Sequence, residues 1–183
     1  MTRHRVIGQL SRVVAAAVVL PLLAGCNPQT QYRPGPAVLQ SAVDCSTATG
    51  MMANPSAPGA SQKGRVPDGF VPVDVVRCTW ELPVLSAHAT TSPDAVVRED
   101  HLSGDYGPLL AALAGPSDRG GRVSCLDYAE ILPELWLVDA AGAAVNVAWP
   151  VDSCGFSKPG TAAALETLTV ASSTTVPAKE PAA

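Results

Sequence analysis

A short polar segment holds two histidines together with several carboxylates. His88 and His101 are thirteen residues apart, and four acidic residues lie between or beside them: Asp94, Glu99, Asp100 and Asp105. Imidazole and carboxylate groups are good ligands for Zn²⁺ and similar ions. The spacing matches no metal-binding frame such as HExxH. We therefore favour a solvated connection leading into a helix, with Asp105 as the helix N-cap, over a metal site.

Other signatures of catalysis are missing from the sequence. It contains no GxSxG nucleophile motif, no Walker motif, no GxGxxG loop and no CxxC pair. The tryptophans Trp80, Trp136 and Trp149 could line a ligand pocket, but tryptophans at alternating strand positions more often pack in a core. We therefore expect no metal and no cofactor, and binding or scaffolding is a better expectation than catalysis.

The first 26 residues have the parts of an export signal. A basic stretch with Arg3, Arg5 and Arg12 is followed by an apolar run over 13–25, and Cys26 comes directly after that run. Thirteen apolar residues are too few to span a bilayer, which takes about 20. The length is typical of the apolar core of a signal peptide. We predict that residues 1–25 are a signal peptide.

The end of this leader carries more specific information. Leu23-Ala24-Gly25-Cys26 resembles the lipobox of bacterial lipoproteins. In that family the cysteine thiol receives a diacylglyceryl group, and the signal is cleaved just before the cysteine. The resemblance implies a lipoprotein anchored through Cys26, with acyl chains such as palmitate, on the extracytoplasmic face of the cell membrane. The alternative is an ordinary secretory signal that ends in an incidental cysteine.

The other four of the five cysteines predict two disulfides. An even number of cysteines in an exported chain is typical of full pairing: Cys45, Cys78, Cys125 and Cys154. Three connectivities are possible. We favour Cys125–Cys154, because these residues frame a compact run of predicted strands, which leaves Cys45–Cys78.

The charge balance bears on the partners of the chain. The net charge is −4, from 12 basic and 16 acidic residues, and becomes −7 when the three arginines of the leader are removed. Nucleic-acid binding needs a basic face, so this composition argues against it. The acidity also offers no attraction to lipid headgroups beyond the acyl anchor.

The mature chain divides by composition into three parts. Residues 26–66 are rich in Pro, Gly and Ser without periodicity, which predicts a tether. Residues 67–171 form the predicted domain. Residues 172–183 are Ser, Thr, Pro and Ala in large part and are predicted to be a disordered tail.

Within the domain, hydrophobic periodicity predicts five strands and two helices. Val71, Val73 and Val75 alternate and predict a strand over 70–81. We predict further strands over 95–98, 123–129, 135–139 and 144–149, and helices over 106–114 and 159–170. The order predicts an α+β fold: a small, mostly antiparallel sheet with two helices on one side, stapled by two disulfides.

The C-terminal half also contains a pattern that looks like a recurrent motif. The segment Pro133 to Gly155, followed by Lys158-Pro159 and a helix, resembles uncharacterised secreted and lipid-anchored proteins of actinobacterial type. In those proteins the residues LVD, G, V, P, D, CG and P follow one another in this order along the chain, and a helix comes after them. The resemblance covers the chain from Cys78 onward and implies a shared fold and disulfides. It implies no activity.

These observations predict a lipid-anchored extracytoplasmic lipoprotein. We expect a binding or scaffolding module of the cell envelope, with the membrane as one partner through its anchor and a protein or small ligand as another. The alternative is an envelope hydrolase or metal-dependent protein that uses His88, His101 and the nearby carboxylates.

Overall fold

The computed structural model describes residues 30–48, 62–81, 95–121, 123–127 and 130–179. These residues form seven strands, two α-helices and one 3₁₀ turn. In chain order the elements are β1 (Thr30–Tyr32), a 3₁₀ turn (Cys45–Thr47), β2 (Pro72–Glu81), β3 (Val96–Ser103), α1 (Gly107–Leu113), β4 (Ser117–Arg119), β5 (Glu134–Asp139), β6 (Ala144–Val147), α2 (Pro159–Glu166) and β7 (Thr169–Pro177).

The main sheet has five strands in the order β6-β5-β2-β3-β7, and every neighbouring pair is antiparallel. A separate two-stranded ribbon joins β1 to β4, also antiparallel. Among the described residues the architecture is thus two helices and two antiparallel sheets. The predicted α+β class, with a mostly antiparallel sheet and two helices, is confirmed.

Both faces of the central strand β2 are covered, because Val75 and Val76 point to opposite faces and both are fully buried. On the Val75 face, the strands pack against Leu109 and Leu113 of α1 and against Ala164 and Leu165 of α2. On the Val76 face, the strands pack against the 3₁₀ turn. The main members of this second cluster are Cys45, Ala48, Val76, Cys78, Val97, Trp136 and Ala144.

The predicted valine alternation at the start of β2 is only partly reflected in burial. Val71 and Val73 are 72% and 57% exposed, whereas Val75 is completely buried. The pairing of β2 with β5 shifts register between Pro72 and Asp74. This irregularity changes which side chains face the core, so the strand is confirmed but its first two valines face solvent.

The described part of the predicted tether packs on the body. The backbones of Gln40 and Ala144 exchange two hydrogen bonds of 2.8 Å, and Gly64 bonds to both Asn146 and Ala148. These contacts cover the outer edge of β6, which would otherwise be an open sheet edge. The fit is tight, because a Cβ on Gly64 would collide with the backbone of residues 35–37. The prediction of a tether over 26–66 is corrected for 30–48 and 62–66; residues 49–61 lie outside the described residues.

The C-terminal end also differs from the prediction. α2 ends at Glu166, earlier than the predicted 170, and the nine residues Thr169–Pro177 form β7, the outer strand beside β3. The disordered tail predicted over 172–183 is therefore corrected for 172–177. β-branched Thr and Val favour a strand here, but the segment is polar and mostly exposed, so its composition resembles that of a disordered end.

Two smaller strand predictions also change. The described residues of the predicted strand over 123–129, namely 123–127, contain no strand. The three-residue strand β4 was not predicted, because its only pairing partner is β1, 85 or more residues earlier in the chain.

The two disulfides are Cys45–Cys78 and Cys125–Cys154, each with a Cα–Cα distance of 5.4 Å. The favoured connectivity is confirmed. The first bridge joins the 3₁₀ turn to β2 in the second core cluster, and the second joins the 123–127 segment to the turn before α2. In the described part of the chain, no helix has the length and apolarity needed to cross a membrane.

Candidate functional site

The histidine and carboxylate residues proposed from the sequence do not form one cluster in the described structure. Glu99, Asp100 and His101 are consecutive on β3. Because successive strand residues point to opposite faces, Asp100 lies on the α-helix face while Glu99 and His101 lie on the other. His88 and Asp94 lie outside the described residues.

His101 is held between two carboxylates. Its Nδ1 lies 2.6 Å from Oδ2 of Asp74, and its Nε2 lies 3.5 Å from Oε1 of Glu99. The pairing explains the first contact, since His101 is opposite Val76 and Asp74 precedes Val76 by two residues on the same face. The sequence did not identify Asp74, because only the β2–β3 register brings it to the histidine.

The geometry around His101 suits a fixed imidazole better than a metal centre. The side chains of His101, Asp74 and Glu99 are 38%, 31% and 22% exposed. Among the described residues, no three His, Cys, Asp or Glu side chains are grouped so that they could hold a metal ion. What the arrangement can do is orient one imidazole at the surface of the sheet.

Asp100 is the centre of an ion network on the other face. Its side chain is 2% exposed, and its Oδ2 accepts hydrogen bonds from Arg77 Nη2 at 2.8 Å and from Arg98 Nε at 3.2 Å. Its Oδ1 accepts one from Ser173 Oγ at 2.7 Å. Arg98 also pairs with Glu81 at 2.8 Å. The network joins β2, β3 and β7.

Burial alone would raise the pKa of the Asp100 carboxyl. The hydrogen bonds from Arg77, Ser173 and Arg98, together with the charge of Arg98, outweigh burial and hold the pKa below its ordinary value. Asp100 is therefore an ionised structural group whose two oxygens both already accept hydrogen bonds. It has no free oxygen to offer to a metal or a substrate.

Asp105 has the capping role that the sequence suggested, shifted by one position. Its Oδ1 accepts a hydrogen bond from the amide of Gly107 at 2.9 Å, while Tyr106 is the N-cap residue of α1. The Tyr106 hydroxyl donates to the Leu102 carbonyl at 2.6 Å. A carboxylate at this helix start satisfies an amide that has no partner within the helix.

The tryptophans pack against different core clusters, Trp149 against the first and Trp80 and Trp136 in the second. Trp136 is 2% exposed in the second core cluster, and Trp80 packs against the same cluster. Trp149 lines a shallow cleft of about 120 Å³ together with Arg33, Arg65 and Ser117. Pockets for small ligands usually measure about 300–1,000 Å³, so this cleft is too small for a substrate of ordinary size.

The residue proposed for lipidation, Cys26, lies outside the described residues. Thr30, the fourth residue after it, is the first residue of β1 and pairs with Arg119 of β4. The body of the protein therefore begins almost immediately after the proposed lipidation site. The sequence missed this relation, because the short strands β1 and β4 have no periodic pattern.

Comparison with known proteins identifies no relative. No protein-family model, no curated protein and no solved structure matches the chain.

Proposed function

We propose that this chain is a lipoprotein held on the extracytoplasmic face of the cell membrane through acylated Cys26. Its disulfide-stapled α+β body serves as a binding or scaffolding module of the cell envelope. The partner is a protein, a peptide or a small ligand, and no metal or cofactor is required.

One observation carries the proposal: the four cysteines after Cys26 are all used in two disulfides. Disulfides form and persist outside the cytoplasm, which supports export. Cys26 is then the cysteine without a role in folding, and it stands at the end of the lipobox-like tetrad.

The charged groups of the body support binding or scaffolding over catalysis. The buried carboxylate of Asp100 is neutralised by arginines, and Glu134 is held by Lys63 and by Asn146, both at 2.9 Å. Groups committed to such internal bonds stabilise the fold. They are not free to move a proton or to attack a substrate.

The proposal is tested by labelling cells with a radioactive or clickable fatty acid. Expression of the full chain should give a labelled, processed protein in the membrane fraction. The substitution Cys26→Ser should abolish the label and leave unprocessed precursor. Ser11→Ala, a change of similar size in the leader but outside the tetrad, should keep both label and processing. Labelling that survives Cys26→Ser would overturn the proposal.

A further inference from the structure

We propose that one end of the body rests directly on the lipid headgroups of the anchoring membrane. This membrane-facing end consists of the β1–β4 ribbon with Arg33 and of the described loop residues 123–127 and 130–131. The inference rests on the proposed lipidation of Cys26, and it adds an orientation and a second membrane contact.

The length of chain between Cys26 and β1 limits how far the body can lie from the membrane. Thr30 is four residues after Cys26 and already belongs to β1, and four residues span at most about 14 Å when fully extended. A folded domain of 100 residues has a radius of gyration of about 13 Å and is therefore wider than this gap. The space in front of the ribbon can hold lipid headgroups but not a folded partner.

The ribbon cannot swing away from the body. Thr30 pairs with Arg119 and Tyr32 with Ser117. β4 is in turn fixed to the segment before α2: Ser117 Oγ accepts from the Val151 amide at 3.1 Å, and the Asp118 amide donates to the Val151 carbonyl at 2.8 Å. The short connection to Cys26 therefore restricts the whole body.

Exposed apolar side chains follow β4 along the chain. Val123, Leu126 and Ile131 are 50%, 72% and 63% exposed. Their loop is fixed to the same segment before α2 as the ribbon, through the Cys125–Cys154 disulfide and through Glu130, which accepts bonds from the Ser157 amide and hydroxyl at 2.7 and 2.6 Å. Ribbon and loop are thus both fixed to the segment 151–157.

The charges of the ribbon favour anionic headgroups. Within the described residues, the exposed Arg33 and Arg119 have no acidic partner, and the Arg119 guanidinium stacks on the Tyr32 ring at 4.2 Å. Asp118 is neutralised by Lys158 at 3.0 Å, so the ribbon itself is basic. The loop carries two acids: Asp127 is exposed, and Glu130 is half-buried and bonded to Ser157.

The two arginines of the ribbon contrast with the net charge of −7 that the chain has without its leader. Because an anionic membrane surface attracts arginine and repels acidic groups, the ribbon is the part of the body suited to face the bilayer. Tyr32 is suited to the same interface, since its ring is apolar and its hydroxyl polar.

The experiment uses the mature chain, residues 26–183, carrying Cys26→Ser, so that no acyl chain contributes. Binding is measured by flotation with vesicles of equimolar phosphatidylcholine and phosphatidylglycerol at low salt, and with phosphatidylcholine alone. We expect weak binding to the anionic vesicles that decreases with salt. Little binding should occur to neutral vesicles.

Two double variants remove the surface: Arg33→Glu/Arg119→Glu, and Leu126→Ser/Ile131→Ser. Each should lower the partition coefficient at least about tenfold. The control is Val71→Ser/Val73→Ser, whose valines are similarly exposed but lie outside the ribbon and the loop, where β2 starts and β5 ends. All these side chains are exposed, so the free energy of unfolding in urea should be the same for every variant.

Equal binding by all variants, or no binding to anionic vesicles, would overturn the inference. A free phosphate as the true ligand would appear as competition by inorganic phosphate at constant ionic strength, which also overturns it. Because the test protein lacks the acylated cysteine, its outcome is independent of fatty-acid labelling. Failure of the lipidation proposal and failure of this inference are therefore distinguishable.

Discussion

The carboxylate of Asp100, 2% exposed, accepts a hydrogen bond from Arg77 Nη2 at 2.8 Å and so joins the two central strands β2 and β3. The residues are directly opposite in the strand register. This buried charge pair makes the sheet interior sensitive to the loss of either partner, because the remaining charge is left without compensation.

Replacement of Asp100 by Asn should destabilise the protein. Asn keeps the size of the side chain and can still bond to Ser173, but it leaves Arg77 and Arg98 without a carboxylate. We expect the free energy of unfolding to fall by about 2–3 kcal/mol, less than for a fully buried pair, because the Arg77 side chain is 26% exposed. Urea denaturation measures this free energy of unfolding. Asp68→Asn is the control: Asp68 also pairs with an arginine but is 90% exposed, and its loss should have no measurable effect.

The contribution of Asp100 should depend on pH in the acid range. The pKa of Asp100 is lower in the folded protein than in the unfolded chain, where it is about 3.9. The network therefore stabilises fully above about pH 4 and loses its effect as the pH falls through the folded-state pKa. The difference between wild type and Asp100→Asn, measured by urea denaturation, should be constant near neutral pH and shrink below about pH 4. A difference that stays constant to low pH would contradict this.

Each disulfide should contribute comparably to stability. The bridges close loops of similar length, with sequence separations of 33 and 29, for which loop-closure entropy predicts about 3–4 kcal/mol each. The paired substitutions Cys45→Ser/Cys78→Ser and Cys125→Ser/Cys154→Ser should each lower the free energy of unfolding by this amount. Peptide mapping without reductant checks the connectivity, and a peptide linking Cys45 to Cys125 would disprove it.

Removal of the C-terminal strand should weaken the fold. β7 pairs with β3 along eight residue positions and carries the Ser173 hydroxyl that binds Asp100. Without β7, Val97 loses part of its cover and Asp100 loses a donor, so truncation after Val170 should cost about 2–4 kcal/mol. Removing only residues 180–183 is the control and should leave the urea midpoint unchanged. Equal stability of the two truncated chains would support the disordered tail instead.

The His101 site should contribute little to stability and bind no metal. His101 and Asp74 are 38% and 31% exposed, and exposed pairs contribute about 0.2–1 kcal/mol. The double variant His88→Ala/His101→Ala should therefore unfold within about 1 kcal/mol of wild type. The melting temperature of wild type should be the same with and without a chelator. A chelator that lowers the melting temperature of wild type but not of the double variant would revive the metal-dependent alternative.

The sequence alone was sufficient for the features that depend on local pattern and on residue type. Alternation predicted β2, apolar runs on either side of a turn predicted β5 and β6, apolar spacing predicted both helices, and an even number of cysteines after Cys26 predicted two disulfides. The α+β class followed from the order of these elements. Such signals lie within a few residues of each other, so no tertiary information is needed to recognise them.

Other features depended on contacts between distant parts of the chain. Only the β2–β3 register brings Asp74 to His101, and only strand alternation sends the neighbouring Asp100 to the opposite face, between two arginines. The Pro-rich segment with Gln40 and the polar strand β7 have compositions typical of disorder. They are ordered because the edges of the sheet offer backbone partners to them. The position of β1 so close to Cys26 was likewise decided by pairing with β4, because a three-residue strand has no stability of its own and forms only where the folded body supplies its partner.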